Sequence, residues 1–180
     1  STGSKLLPLL RSSGTAENDL LQMLLETEYE DGSRMSDEQL LDESLVLYLA
    51  GHETTALALT WGIYLLSTHS EVEEKLYQST AAQFSDRDPG FADLRSMGYV
   101  NQVIDETMRL YPPAWFLDRY AIEEDEINGY RIRKNQDIFC FVFGMHRHPK
   151  YWEQPEKFDP ERFSDENKKK SYRSYKNNDE

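Results

Sequence analysis

Only one residue in 180, Cys140, is a cysteine, which excludes an intrachain disulfide and fits a reducing compartment. Basic residues are also scarce. Against 33 Asp+Glu stand 20 Lys+Arg, a net charge of −13 that argues against unassisted binding to nucleic acid or an anionic membrane. No signal peptide is read in these 180 residues, and the first of them is Ser1 rather than methionine, so the chain is expected to be cut from something longer. It contains no internal repeat. What it does have is 38% hydrophobic and 12% aromatic residues, enough for a sizeable core in one domain or a piece of one.

Proline is absent from the stretch Ser36 to Ser67. Ser36 and Gln39 form a capping box at its start. Leu40, Leu41, Leu45, Tyr48, Leu49, Leu57, Leu59 and Ile63 then recur at helical spacings. At ~1.5 Å per residue such a helix spans about 45 Å. In its middle, Ala50 and Gly51 open a gap in an otherwise bulky face, and Glu53 and Thr54 follow. A carboxyl in such a segment needs a partner, water or a task. An acid beside an alcohol, facing a gap, suits a proton relay; an ordinary core helix with a satisfied Glu is the plainer reading.

Two other readings fail. A membrane span would centre Glu53 in lipid at a cost of ~2.5–3.5 kcal/mol, and the flanks are acidic, so no membrane segment is expected in this chain. A zinc-protease His-Glu-x-x-His pattern needs a second histidine where Ala56 stands.

The remaining elements read as follows. Ser1 to Gly14 is a loop or frayed end, and Asn18 to Glu28 a short amphipathic helix. A second capping box, Ser70 with Glu73, opens a helix to about Ala82. A further helix from about Tyr99 to Leu110 stops at Pro112-Pro113. It carries Glu106 and Arg109, which share a face at i and i+3; alone, that pair reads as a solvated surface pair. Short strands follow at 119–122, 129–133 and 138–143, with Asn128-Gly129 as a hairpin turn. Cys140, in the last strand, reads as a small buried hydrophobe. His146 and His148 read as loop histidines, and Ser164 to Glu180 as a polar loop or disordered tail.

The order of four motifs is more specific than any one of them. Ala50-Gly51-His52-Glu53-Thr54-Thr55, then Glu106-Thr107-Met108-Arg109-Leu110-Tyr111-Pro112-Pro113, then His146-Arg147-His148-Pro149 with Trp152, then Pro160-Glu161-Arg162-Phe163 resembles the cytochrome P-450 family. The match runs from about Asn18 to Phe163. It implies a mainly α fold with small β-sheet elements, a partial P-450 domain over 1–163 followed by the polar segment 164–180.

The resemblance also implies roles. Ala50 and Gly51 would lie over a haem, and Glu53 and Thr54 would deliver protons to reduced dioxygen. Arg119 would bind a haem propionate, and Trp115, Phe116 and Leu117 would line the pocket for an apolar small-molecule substrate. Glu106, Arg109 and Arg162 would form a buried charged network, which reverses the surface reading of the first two. The parent would be a haem-dependent monooxygenase fed by a redox partner, cytoplasmic or cytosol-facing, with an upstream membrane anchor left open.

There are departures from the family pattern. The family's cysteine ligand to the haem iron follows the position of Arg162, and here it is expected beyond Glu180, so this chain supplies no metal ligand. Asn135 replaces a usual glycine and His148 a usual acid. The 180-residue chain alone is therefore expected not to be competent, and the rival reading is a truncated, non-catalytic helical protein or binding module that holds no haem.

Overall fold

The computed structural model describes residues 20–167. The chain divides inside its longest helix into two units, Ser1–Glu53 and Thr54–Glu180. The expected loop before Gly14, the first two residues of the helix expected from Asn18, and most of the polar tail lie outside the described residues.

In the first unit, α1 covers Leu20–Glu26. A turn follows in which the Tyr29 amide donates to the Ser33 carbonyl at 2.8 Å. Asp31 accepts from both the amide and the hydroxyl of Ser33, which holds its carboxyl below the usual range. Glu28 and Arg34 close the turn as an ion pair at 2.7 Å. Helix α2 then runs unbroken over Asp37–Thr68. Its capping box is present as expected: the Gln39 amide donates to Ser36 Oγ at 3.2 Å, and the Ser36 amide to Gln39 Oε1 at 3.1 Å. Asp37 and Glu38 add negative charge where the helix dipole favours it. Leu40 is buried, whereas Leu45 and Leu49 are exposed.

The second unit takes the rest of α2, then α3 (Ser70–Gln83), a 3-10 turn (Phe91–Ser96) and α4 (Gly98–Leu110). The capping box expected at Ser70 does not form. Helix α3 already begins at Ser70, and His69 occupies the cap with no side-chain bond to the helix. The His69 ring turns back to the Leu65 carbonyl at 2.8 Å, while its own carbonyl accepts from the amides of Val72 and Glu73. A continuous chain from α2 thus leaves Ser70 no room to sit outside the helix. The core joins Leu65 of α2, Val72 of α3, Val103 and Leu110 of α4, and Phe158. Trp61 of α2 lies flat on Tyr111, ring centres 4.0 Å apart. At its end α4 meets Pro112 and Pro113, which cannot continue its hydrogen bonds.

Four short strands make two antiparallel pairs. Strand β1 (Leu117–Tyr120) pairs with β4 (Asp137–Cys140), Leu117 opposite Cys140 and Arg119 opposite Ile138. Strand β2 (Asp125–Ile127) pairs with β3 (Tyr130–Ile132) across Asn128 and Gly129, whose φ values are 52° and 83°. Two consecutive left-handed residues match the twist of a hairpin, which is why Asn-Gly is favoured there. Asn135 is also left-handed, at φ 66°, the conformation that lets Asn stand in for glycine.

Two strand expectations need correction. The first strand lies two residues earlier than expected, and the last stops at Cys140 instead of Phe143. Val142–Met145 instead forms a helical turn, α5. The Phe141 ring folds over Gly144 so closely that a Cβ there would stand 2.5 Å from Phe141 Cδ1, so any larger residue at 144 would push that half-exposed ring aside. Cys140 is exposed, not buried. It faces out with its exposed partner Leu117 from a ladder of only two strands. The fold is mainly α with small antiparallel sheets. Among the described residues no helix is long and apolar enough to cross a membrane.

Candidate functional site

Helix α4 carries the most constrained chemistry. Glu106 and Arg109 are 0% and 2% exposed. Their i, i+3 spacing lets the two planar groups meet edge to edge, Arg109 Nε on Glu106 Oε2 at 2.7 Å and Nη2 on Oε1 at 2.8 Å. Arg109 Nη1 donates to the carbonyls of His146 (2.7 Å) and Pro155 (2.8 Å), and Nη2 to that of Lys157 (3.2 Å). All five guanidinium N–H groups are therefore used. The Asp159 amide donates to Glu106 Oε1 at 2.9 Å, and Arg162 Nε stands 3.3 Å from the same oxygen. Arg162 also donates to the Gln154 carbonyl at 2.8 Å.

The structure thus brings Glu106, Arg109 and Arg162 together. Sequence reasoning missed the other half of the network, the carbonyls of His146, Pro155 and Lys157. They belong to the loop that leads to the 3-10 turn Pro160–Phe163, and backbone acceptors carry no side-chain signature. Trp152, 5.0 Å under the Arg109 guanidinium, was the one available signal.

The opposite side of α4 lines an open apolar trough of about 910 Å³. One wall is Thr54, Thr55, Ala58, Leu59, Gly62 and Ile63 of α2; the other includes Val100, Val103, Ile104 and Thr107 of α4, and Pro112 to Ala114 close one end. The helices come near each other at Gly62, where a Cβ would meet Thr107 Cγ2 at 3.8 Å. Thr107 spends its buried hydroxyl on the Val103 carbonyl at 2.8 Å. Thr54 is thus on the trough wall.

The other candidate residues lie elsewhere. In the first unit Ala50, Gly51 and Glu53 are exposed on α2, with no atom within 4 Å of a Cβ built on Gly51. Arg119 is exposed on β1 and donates to the Asp118 carbonyl at 2.7 Å. Trp115, Phe116 and Leu117 do not line the trough, which ends at Ala114. Trp115 and Phe116 instead pack edge to face at 4.4 Å and continue to Phe139 and Phe141 on the β1–β4 side. Among the described residues no group of three or more His, Cys, Asp or Glu is arranged to hold a metal ion.

The family model for cytochrome P450 matches residues 9–176. This chain belongs to the cytochrome P450 family. It is 39% identical over 132 residues to the protein LUTEIN DEFICIENT 5, chloroplastic, of Arabidopsis thaliana, covering 73% of this chain and 22% of that one. It is 37% identical to the cyclooctat-9-en-7-ol 5-monooxygenase of Streptomyces melanosporofaciens, covering 85% of this chain and 34% of that one. The structure superposes on retinoic acid bound cyanobacterial CYP120A1 with a TM-score of 0.84 at 30% identity, covering 89% of this chain and 37% of that chain. The P450 chain described here thus spans about a fifth to a third of the length of these relatives.

Proposed function

We propose that this P450 segment supplies one wall of a haem-dependent monooxygenase site whose parent inserts oxygen into an apolar small molecule. The reading rests above all on the apolar trough, whose α2 wall carries the hydroxyl residues Thr54 and Thr55. By the family resemblance, the group this segment would meet is a flat, apolar ring bearing carboxylates. Within the first unit, Ala50 and Gly51 leave an exposed helix face without bulky side chains, which a planar group could approach; within the second, the exposed Arg119 guanidinium suits a carboxylate. When bound, haem supplies an iron centre at which dioxygen is reduced and cleaved with electrons from a redox partner. Cys140, exposed on β4, is not assigned to that iron.

In this proposal Thr54 Oγ1 holds a proton at the trough wall and Glu53 replenishes it from solvent, which its exposed position on α2 permits. Trp115, Phe116 and Leu117, given as substrate contacts by the family resemblance, lie beyond the Ala114 end of the trough and would meet only a substrate that extends past it. The knot of Glu106, Arg109 and Arg162 touches none of the reacting groups; it fixes α4, and with it the trough wall. In a full-length P450 carrying this segment, Thr54→Ala should leave haem and substrate binding intact while more of the reduced oxygen escapes as peroxide. The measurement is product formed per reduced cofactor consumed, and an unchanged ratio would remove Thr54 from the relay. A full-length protein that takes up no haem at all would favour the non-catalytic alternative.

A further inference from the structure

Two asparagines of the second unit share an uncommon backbone conformation and differ in what holds them there. Asn128, at the tip of the β2–β3 hairpin, has φ 52°, and Asn135, in the turn before β4, has φ 66°. Both are exposed. Asn135 is tied down. Its amide donates to the Ala121 carbonyl at 2.8 Å, the Ala121 amide to the Gln136 carbonyl at 3.0 Å, and the Gln136 amide to the Arg133 carbonyl at 3.1 Å. The Gln136 side chain also accepts from the Arg133 amide at 3.0 Å.

Asn128 has no such clasp. Neither its carboxamide nor the Gly129 amide that follows makes a hydrogen bond to a described residue. The hairpin pairs Asp125 with Ile132, Glu126 with Arg131 and Ile127 with Tyr130, in a sheet of two strands. Of these paired residues Ile132 alone is buried. A ladder so short and so exposed opens readily by itself. Glycine, with no side chain, leaves its nitrogen unhindered for attack on the asparagine carboxamide. A left-handed asparagine holds that nitrogen away from its own side chain, so the attack waits for the turn to open.

We propose that Asn128 is a self-modification site whose isoaspartyl product unlocks the β2–β3 hairpin. When the turn opens, the Gly129 nitrogen bonds to Asn128 Cγ and gives up its proton. The Cγ–Nδ2 bond breaks, and ammonia leaves. The five-membered imide then takes up one water. Cleavage between nitrogen and Cγ leaves an aspartyl residue at 128. Cleavage between nitrogen and the main-chain carbonyl carbon of 128 leaves isoaspartate, with the backbone running through Cγ. The sum is amide plus water giving carboxylate plus ammonia, with no oxidation or reduction.

The two products differ in consequence. An aspartyl residue tolerates the left-handed turn as asparagine does, so that form keeps the hairpin. Isoaspartate inserts a methylene into the main chain, for which a two-residue turn has no place. Both add negative charge to a hairpin that carries Asp125 and Glu126, and Arg131, across from Glu126, is already paired with Glu124. The modification is independent of the haem reading, since it needs only the hairpin and water.

The test ages the 180-residue chain at mildly alkaline pH, native and in denaturing guanidinium chloride. Peptides containing 128 and 135 are followed by mass spectrometry, with fragmentation that separates isoaspartate from aspartate. Comparing each asparagine with itself in denaturant removes the intrinsic reactivity of the Asn-Gly pair. Folding should slow Asn135 roughly tenfold more than Asn128, since the bonds around 135 must break before its ring can close. In the isoaspartyl fraction, proton–proton contacts between Glu126 and Arg131 should be lost, whereas Asn128→Asp should keep them. Equal slowing of the two asparagines overturns the proposal, as does a purely aspartyl product or an isoaspartyl fraction that keeps those contacts. Their loss in Asn128→Asp as well would assign the unlocking to charge and overturn the isoaspartyl switch.

Discussion

The two faces of α4 solve opposite problems. One buries an acid and a base and leaves almost no donor or acceptor free; the other borders the trough with Val103 buried but Ile104 and Met108 half open to solvent. On the charged face, the energy lies in completeness. A buried Glu–Arg pair gains little over well-packed hydrophobes, but removing one partner strands a charge. On the apolar face, energy accrues in proportion to area removed from water, so a side chain that is already half exposed has little to lose. A single helix is thus rigidly fixed on one side and open to a ligand on the other.

The largest expected effect breaks the closed face. Glu106→Ala leaves the Arg109 and Arg162 guanidiniums without their shared carboxylate, and should cost ~3–5 kcal/mol. Urea denaturation followed by circular dichroism would show a lost or strongly shifted transition. Normal unfolding of this variant would mean that the carbonyls of His146, Pro155 and Lys157 hold Arg109 by themselves.

The same truncation on the open face should be mild. Ile104 is 47% exposed on the trough, and Ile104→Ala is expected to cost about 1 kcal/mol, well below the 2–5 typical of a buried site. A cost near that of a core residue would show that the trough is covered in solution. The smallest effect has the opposite sign. Gly62 sits on a helix where a Cβ would meet Thr107 only at ordinary contact distance. Gly62→Ala should therefore stabilise by up to ~1 kcal/mol through helix propensity, read as a raised melting temperature. A loss of stability would place the two helices closer than 3.8 Å from that methyl.

How far these features could be read from residues alone depended on how local their causes are. The start of α2 was legible because Ser36 and Gln39 satisfy each other within four residues. The hairpin was legible because Asn128 and Gly129 are the residues that tolerate a left-handed backbone. The end of α4 was written in two prolines. The box at Ser70 misled because His69 and Leu65 settle that junction, and a four-residue signature does not see the preceding helix. Cys140 misled because alternation in Ile138 to Phe143 says which side chains share a face, not whether another layer covers it. For the candidate site, the pairing of Glu106 with Arg109 followed from helical spacing, while their burial became an expectation only through the family resemblance. The placement of Thr54 on the trough and of Trp115 to Leu117 away from it required the fold.

Arg109 grips three carbonyls, and a carbonyl is the same group whichever side chain hangs beside it. The knot therefore prescribes a route for the chain through 146, 155 and 157 while leaving the identity of those residues almost free. Substitutions at these three positions should keep the same clasp as long as Glu106, Arg109 and Arg162 remain. The side-chain chemistry of this clasp then rests on Glu106, Arg109 and Arg162 alone.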